Sequence, residues 1–106
     1  MKNDDQIQPN YAPVYAAALY PKLAKIFQRH GYALAVHGSL ARDFDLIAIP
    51  WAEKVSTPGE IIREIEDGYV FRQIGEPTAK NHGRVAYTIS IGFGECALDL
   101  SFFPTS

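Results

Sequence analysis

Asp45 and Asp99 each interrupt an apolar strand-like run, Phe44-Asp45-Leu46-Ile47-Ala48-Ile49 and Ala97-Leu98-Asp99-Leu100-Ser101-Phe102. Both runs alternate with a period of two, which is the period of a β-strand whose two faces differ. In the first, Phe44, Leu46 and Ala48 share one face, while Asp43, Asp45, Ile47 and Ile49 share the other. In the second, Cys96, Leu98, Leu100 and Phe102 share a face opposite Ala97, Asp99 and Ser101. A carboxylate set into such a strand is costly unless it is paired, hydrogen-bonded or metal-bound. The two aspartates therefore constrain which strands can lie side by side.

The rest of the chain alternates helices with short strands. From about Tyr11 to His30, the residues Tyr15, Leu19, Leu23, Ile26 and Phe27 recur at three- and four-residue spacing and predict a helix. Pro21 falls inside it, and Gly31 suits the position just past its end. Tyr32–Val36 reads as a strand, followed by the turn His37-Gly38-Ser39 and the Asp43–Ile49 strand, which Pro50 ends. Ser56-Thr57-Pro58-Gly59-Glu60 is a helix start, Ile61, Ile62 and Ile65 form that helix's apolar stripe, and Gly68 stops it. Tyr69–Ile74 reads as a third strand and 75–83 as a loop rich in breakers. Arg84–Ile91 and Cys96–Phe103 are two more strands, joined as a hairpin by Gly92-Phe93-Gly94-Glu95. The expected fold is α+β, a mixed five-stranded sheet with two main helices. Residues 1–10 read as a disordered arm and residues 11–106 as a single domain.

Composition excludes several classes. Ten Lys and Arg against twelve Asp and Glu leave a formal net charge of −2, without the basic excess of a dedicated nucleic-acid binder. The single cysteine, Cys96, rules out an internal disulfide and a cysteine zinc cluster, and reads as an inert core residue. His30, His37 and His82 have no common metal spacing. The polar N-terminus is not a signal peptide, and no apolar run is long enough to span a bilayer, so the expected setting is cytoplasmic.

The aspartates point to phosphate chemistry. Asp43 and Asp45 lie two residues apart on one face, with Cα atoms about 6.6 Å apart by strand rise. If the strand of Asp99 pairs beside theirs, three carboxylates converge, and such hard oxygen donors suit Mg²⁺ or Mn²⁺. Two such ions about 4 Å apart serve phosphoryl and nucleotidyl transfer. Gly38 lets the backbone approach a phosphate, the Ser39 hydroxyl and backbone N–H groups can cradle it, and Arg42 can add a charge-assisted bond.

The sequence Val36-His37-Gly38-Ser39-Leu40-Ala41-Arg42-Asp43-Phe44-Asp45-Leu46, followed by Leu98-Asp99-Leu100, resembles the DNA polymerase beta-type nucleotidyltransferase superfamily. The shared pattern is an apolar strand, Gly-Ser, Asp-x-Asp on the next strand, and a third Asp between apolar residues on a later strand. The resemblance covers about Tyr32 to Phe103, and the size is similar to that of minimal single-domain members, some of which act with a protein partner. It implies that Gly38 and Ser39 hold the triphosphate and that Asp43 and Asp45 ligate the metals. It implies that Asp99 ligates the catalytic metal and helps deprotonate the attacking hydroxyl. The implied reaction moves a nucleoside monophosphate from an NTP to an unknown hydroxyl acceptor, with a protein partner or homodimer as the implied assembly. Only Leu40, Ala41 and Arg42 separate Gly-Ser from Asp-x-Asp, where the family usually carries a longer helical start. That shortening supports an alternative, a catalytically inactive binding or interaction module of the same fold. A third reading is a nuclease using the same acidic trio.

Other residues carry plainer readings beside functional ones. His37 can touch a nucleotide or serve as a hydrogen-bonded structural histidine. Lys80, His82 and Arg84 can bind phosphate or an acceptor, or belong to a solvated loop. Trp51 can stack on a base or pack at a strand end.

Overall fold

A computed structural model of the chain describes residues 12–40, 43–92 and 97–105. The arm expected at 1–10, Arg42, Cys96, residues 93–95 of the hairpin turn and the side chain of Tyr15 lie outside the described residues. The element order is α1 (Ala12–Arg29), β1 (Tyr32–His37), β2 (Phe44–Pro50), α2 (Pro58–Gly68), β3 (Arg72–Ala79), a 3-10 turn (Asn81–Gly83), β4 (Val85–Ser90) and β5 (Ala97–Phe102). The five strands form one sheet in the order β1-β2-β5-β4-β3. Neighbours run antiparallel except β2 and β5, which are parallel. The architecture is the α+β, mixed five-stranded sheet with two helices that the alternation predicts.

One face of the sheet is dry. Phe44 and Leu46 from β2, Ile89 from β4, and Leu98, Leu100 and Phe102 from β5 are buried there against Leu23 and Phe27 of α1 and Ile61, Ile62 and Ile65 of α2. Full burial of each such side chain contributes about 1.5–3 kcal/mol. The ring of Tyr32 packs edge-on against both Phe27 and Phe102. Both helices join this single cluster, so the opposite sheet face carries no helix among the described residues.

Local chemistry fixes the helix ends. Gly31 adopts φ 91°, and a Cβ there would stand 2.8 Å from the Lys54 carbonyl oxygen, so the tight exit from α1 needs glycine. α2 opens with a capping box in which the Thr57 hydroxyl accepts from the Glu60 N–H and the Thr57 N–H donates to the Glu60 carboxylate. The Thr57 N–H and, next, the Thr57 hydroxyl donate to the Glu60 carboxylate and hold it below the usual range. The His30 ring then ties the helices together, with Nδ1 2.6 Å from Ser56 Oγ and Nε2 2.7 Å from Glu64 Oε1. Arg29 donates to the other Glu64 oxygen at 2.7 Å, and His30 and Arg29 together hold that carboxyl low.

The third strand differs from the sequence expectation of Tyr69–Ile74. The Tyr69 N–H is spent on the Ile65 carbonyl as the helix cap, so the strand cannot start there. It starts at Arg72 and runs through residues expected to be loop, to Ala79. The register shifts between Ile74 and Thr78, where Gly75 takes φ 66°, so the breakers mark a bulge in an edge strand. Pro77 is tolerated because an edge strand need not donate on its outer side.

Candidate functional site

The uncovered face can be read as rows of side chains crossing the strands. Parallel pairing puts Asp45 directly opposite Asp99, and the neighbouring registers add His37 on one side and Thr88 on the other. His37, Asp45, Asp99 and Thr88 therefore form one row. The next row, two residues along, holds Ala35, Ile47, Ser101, Ala86 and Thr78. A third row brings Arg84 beside Lys80, whose N–H donates to the Arg84 carbonyl at 2.8 Å. Strand rise separates the first row from the third by about 13 Å. One end of the face is acidic and the other basic.

The carboxylates do not sit together cheaply. Burial pushes the Asp99 carboxyl up to about 6, and the nearby charges of Asp43 and then Asp45 act in the same direction. A hydrogen bond with the Asp45 carboxylate also favours protonated Asp99, while the Thr88 hydroxyl, 3.4 Å from Asp99 Oδ1, works against it. Two carboxylates brought face to face in this way are suited to a hard divalent cation, whose charge would offset their repulsion. Asp45 and Asp99 meet this fit; Asp43 reaches them electrostatically from just before β2. Among the described residues, however, no group of three or more His, Cys, Asp or Glu side chains is gathered to hold one ion.

The turn ahead of β2 is shaped by the same pair. Gly38 has φ 79°, and a Cβ built on it would stand 2.6 Å from Asp45 Oδ2. The left-handed backbone favours glycine here, and any Cβ would also displace the Asp45 carboxylate packed against it. Leu40 also takes a positive φ, 58°, a conformation that costs a branched-chain residue about 1–2 kcal/mol. Strain is thus stored at Leu40, directly after the Gly-Ser turn.

A cavity of about 360 Å³ opens on this face. Its acidic wall is Asp45 and Asp99 with His37 nearby, and its basic wall is Lys80 and Arg84. Gly38, Ser39 and Asp43 do not line it. Arg84 is held in place by Nε donating to the Asn81 carbonyl at 3.3 Å, Nη1 donating to Ser101 Oγ at 3.4 Å, and its guanidinium over the Phe103 ring. His37 is exposed and makes no side-chain hydrogen bond among the described residues, unlike the structural histidine its position allowed. His82 and Trp51 line a separate cavity with Phe103. The hydroxyls of Thr78, Thr88 and Ser101 also face the first cavity and carried no motif. Strand alternation places Thr88 and Ser101 on this face, but Thr78 stood in a segment read as loop.

No family model, curated protein or solved structure matches the chain. Among the described residues, no helix is long and apolar enough to cross a membrane.

Two outcomes follow from this geometry. Gly38→Ala is expected to lower stability by about 2 kcal/mol in thermal denaturation, through the left-handed φ and the clash with Asp45. In an Asp45→Ala background the same substitution should cost only about half as much, and equal costs would show that the carboxylate does not press on the turn. The second outcome concerns pH. Native Asp99 holds its proton up to about 6 while the unfolded carboxyl releases it near 3.8, so the native state binds more protons in that window. Stability therefore falls as pH rises from about 4 to 6. Asp99→Asn should remove this slope and be the more stable protein at pH 7 by about 1 kcal/mol, a figure discounted for solvent screening. Glu60 and Glu64 act in the opposite sense, losing stability as pH falls below 4.5, and cancel in the wild-type-minus-variant difference.

Proposed function

We propose that this chain is a metal-dependent nucleotidyltransferase of the DNA polymerase beta type, transferring a nucleoside monophosphate from an NTP to a hydroxyl acceptor. The observation that carries the reading is the in-register pair Asp45 and Asp99 at the acidic wall of an open cavity, with Asp43 just ahead of β2. Strand order supports it as well, because β5 lies next to β2 although α2, β3 and β4 separate them in sequence.

In this reading Asp45 and Asp99 would hold Mg²⁺ or Mn²⁺, with Asp43 as the further carboxylate. The ion supplies charge neutralisation at the α-phosphate and lowers the pKa of the attacking hydroxyl. Asp99 takes the hydroxyl proton, the hydroxyl oxygen forms a bond to the α-phosphorus, and the bond from that phosphorus to the pyrophosphate oxygen breaks. Pyrophosphate leaves with the electron pair of that bond. Gly38 keeps the Asp45 carboxylate in position by leaving room for it.

A second reading, a non-catalytic module of the same fold, is favoured by one observation. The three aspartates are not gathered as a ready cluster among the described residues. Calorimetric titration separates the two. ATP, CTP, GTP and UTP are each titrated with and without Mg²⁺ or Mn²⁺ into wild type and Asp45→Asn. Metal-dependent binding of at least one nucleotide, weakened tenfold or more in Asp45→Asn, is expected. Binding that ignores the metal, or no binding at all, would sink the enzyme reading. A melting-temperature rise on adding Mn²⁺ alone, lost in Asp45→Asn, reports the ion site without activity.

A further inference from the structure

We propose that the polyphosphate tail of the nucleotide is held by Lys80 and Arg84, at the junction of β3 and β4, and not by the Gly38-Ser39 turn. This rests on the nucleotidyltransferase reading and locates the tail within that site. The turn does not line the cavity, whereas Lys80 and Arg84 form the wall facing the carboxylates. A triphosphate whose α-phosphoryl lies by Asp45 and Asp99 must send its β- and γ-phosphoryls somewhere along the face. On β5, β4 and β3 the row between the two walls is small or hydroxylated, with Ser101, Ala86 and Thr78 leaving a trough that offers hydrogen bonds. At its far end are the two cations.

Arg84 is prepared for such a ligand. Among the described residues its contacts use two of the five guanidinium N–H groups, both to neutral oxygens, and no carboxylate neutralises it. The Phe103 ring fixes the plane of the fork, which lowers the entropy lost on gripping a phosphate. Lys80 is exposed, forms no ion pair among the described residues, and adds a mobile point charge beside it. The bulge at Gly75 to Thr78 carries the β3 chain to this position, so the segment read as a loop supplies half of the basic wall. The Gly38-Ser39 turn stands outside the cavity, so its N–H groups do not face a tail lying there. The opposite wall supplies the charge instead.

The test uses inorganic tripolyphosphate as probe, titrated calorimetrically into wild type, Lys80→Ala, Arg84→Lys and Ser39→Ala. Lys80→Ala and Arg84→Lys should each weaken binding about tenfold, because a charge-assisted contact or a bidentate fork is lost, while Ser39→Ala should change it less than twofold. Mn²⁺ binding, followed by the melting-temperature rise, should be unchanged in Lys80→Ala and Arg84→Lys, which also shows that the variants fold. Equal tripolyphosphate affinity in wild type and both basic-wall variants would overturn the proposal, and so would a larger loss in Ser39→Ala. If Mn²⁺ binding and metal-dependent NTP binding persist in that case, the failure belongs to the tail position alone and the nucleotidyl-transfer reading stands.

Discussion

The parallel pairing of β2 with β5 is the constraint on which the site depends. It sets Asp45 against Asp99 in direct register, and a slip of one residue would send one carboxylate into the core and an apolar side chain onto the open face. The register is enforced from the dry side. Phe44 pairs with Leu98 and Leu46 with Leu100, and all four are buried, so apolar packing holds two like charges together that would otherwise separate. The raised Asp99 carboxyl is the consequence, owed first to burial and then to its acidic neighbours, and a cation binding there would relieve it.

Much of this was legible in the residues. Alternation in Phe44–Ile49 and Ala97–Phe102 assigned the faces correctly, because a period of two leaves no choice once one face is apolar. The capping signals around Thr57 and the glycine after α1 also fixed their elements, since those are local hydrogen-bond requirements. The third strand was misplaced because two local signals competed. Tyr69 has strand propensity but serves as a helix cap, and Gly75 and Pro77 look like loop but occupy a bulged edge strand. Edge position depends on which strands pair, which no local stretch carries. The basic wall was only half visible for the same reason. Lys80 and Arg84 stand out in the sequence as cations, but their facing position across from the aspartates needs the order β2-β5-β4-β3.

The open face also explains the use of small and hydroxylated residues on β4 and β5. Ala86 and Ser101 lie between the acidic and the basic end, and Thr88 stands in the acidic row itself, so they leave space that larger side chains would fill. The one-sided core makes this arrangement affordable: both helices pack on the other side, so the face is free to carry charge. Strain at Leu40 and the close contact of Gly38 with Asp45 lie together just ahead of the first two aspartates.

The central claim is that Asp45 and Asp99 form a divalent-cation site. It is tested most directly by soaking crystals of the protein in Mn²⁺ and recording anomalous difference maps. The expected result is a peak bonded to oxygens of both Asp45 and Asp99, at about 2.2 Å, absent from crystals of Asp99→Asn. Maps with no peak between those carboxylates at saturating Mn²⁺, or a peak that persists unchanged in Asp99→Asn, would contradict it.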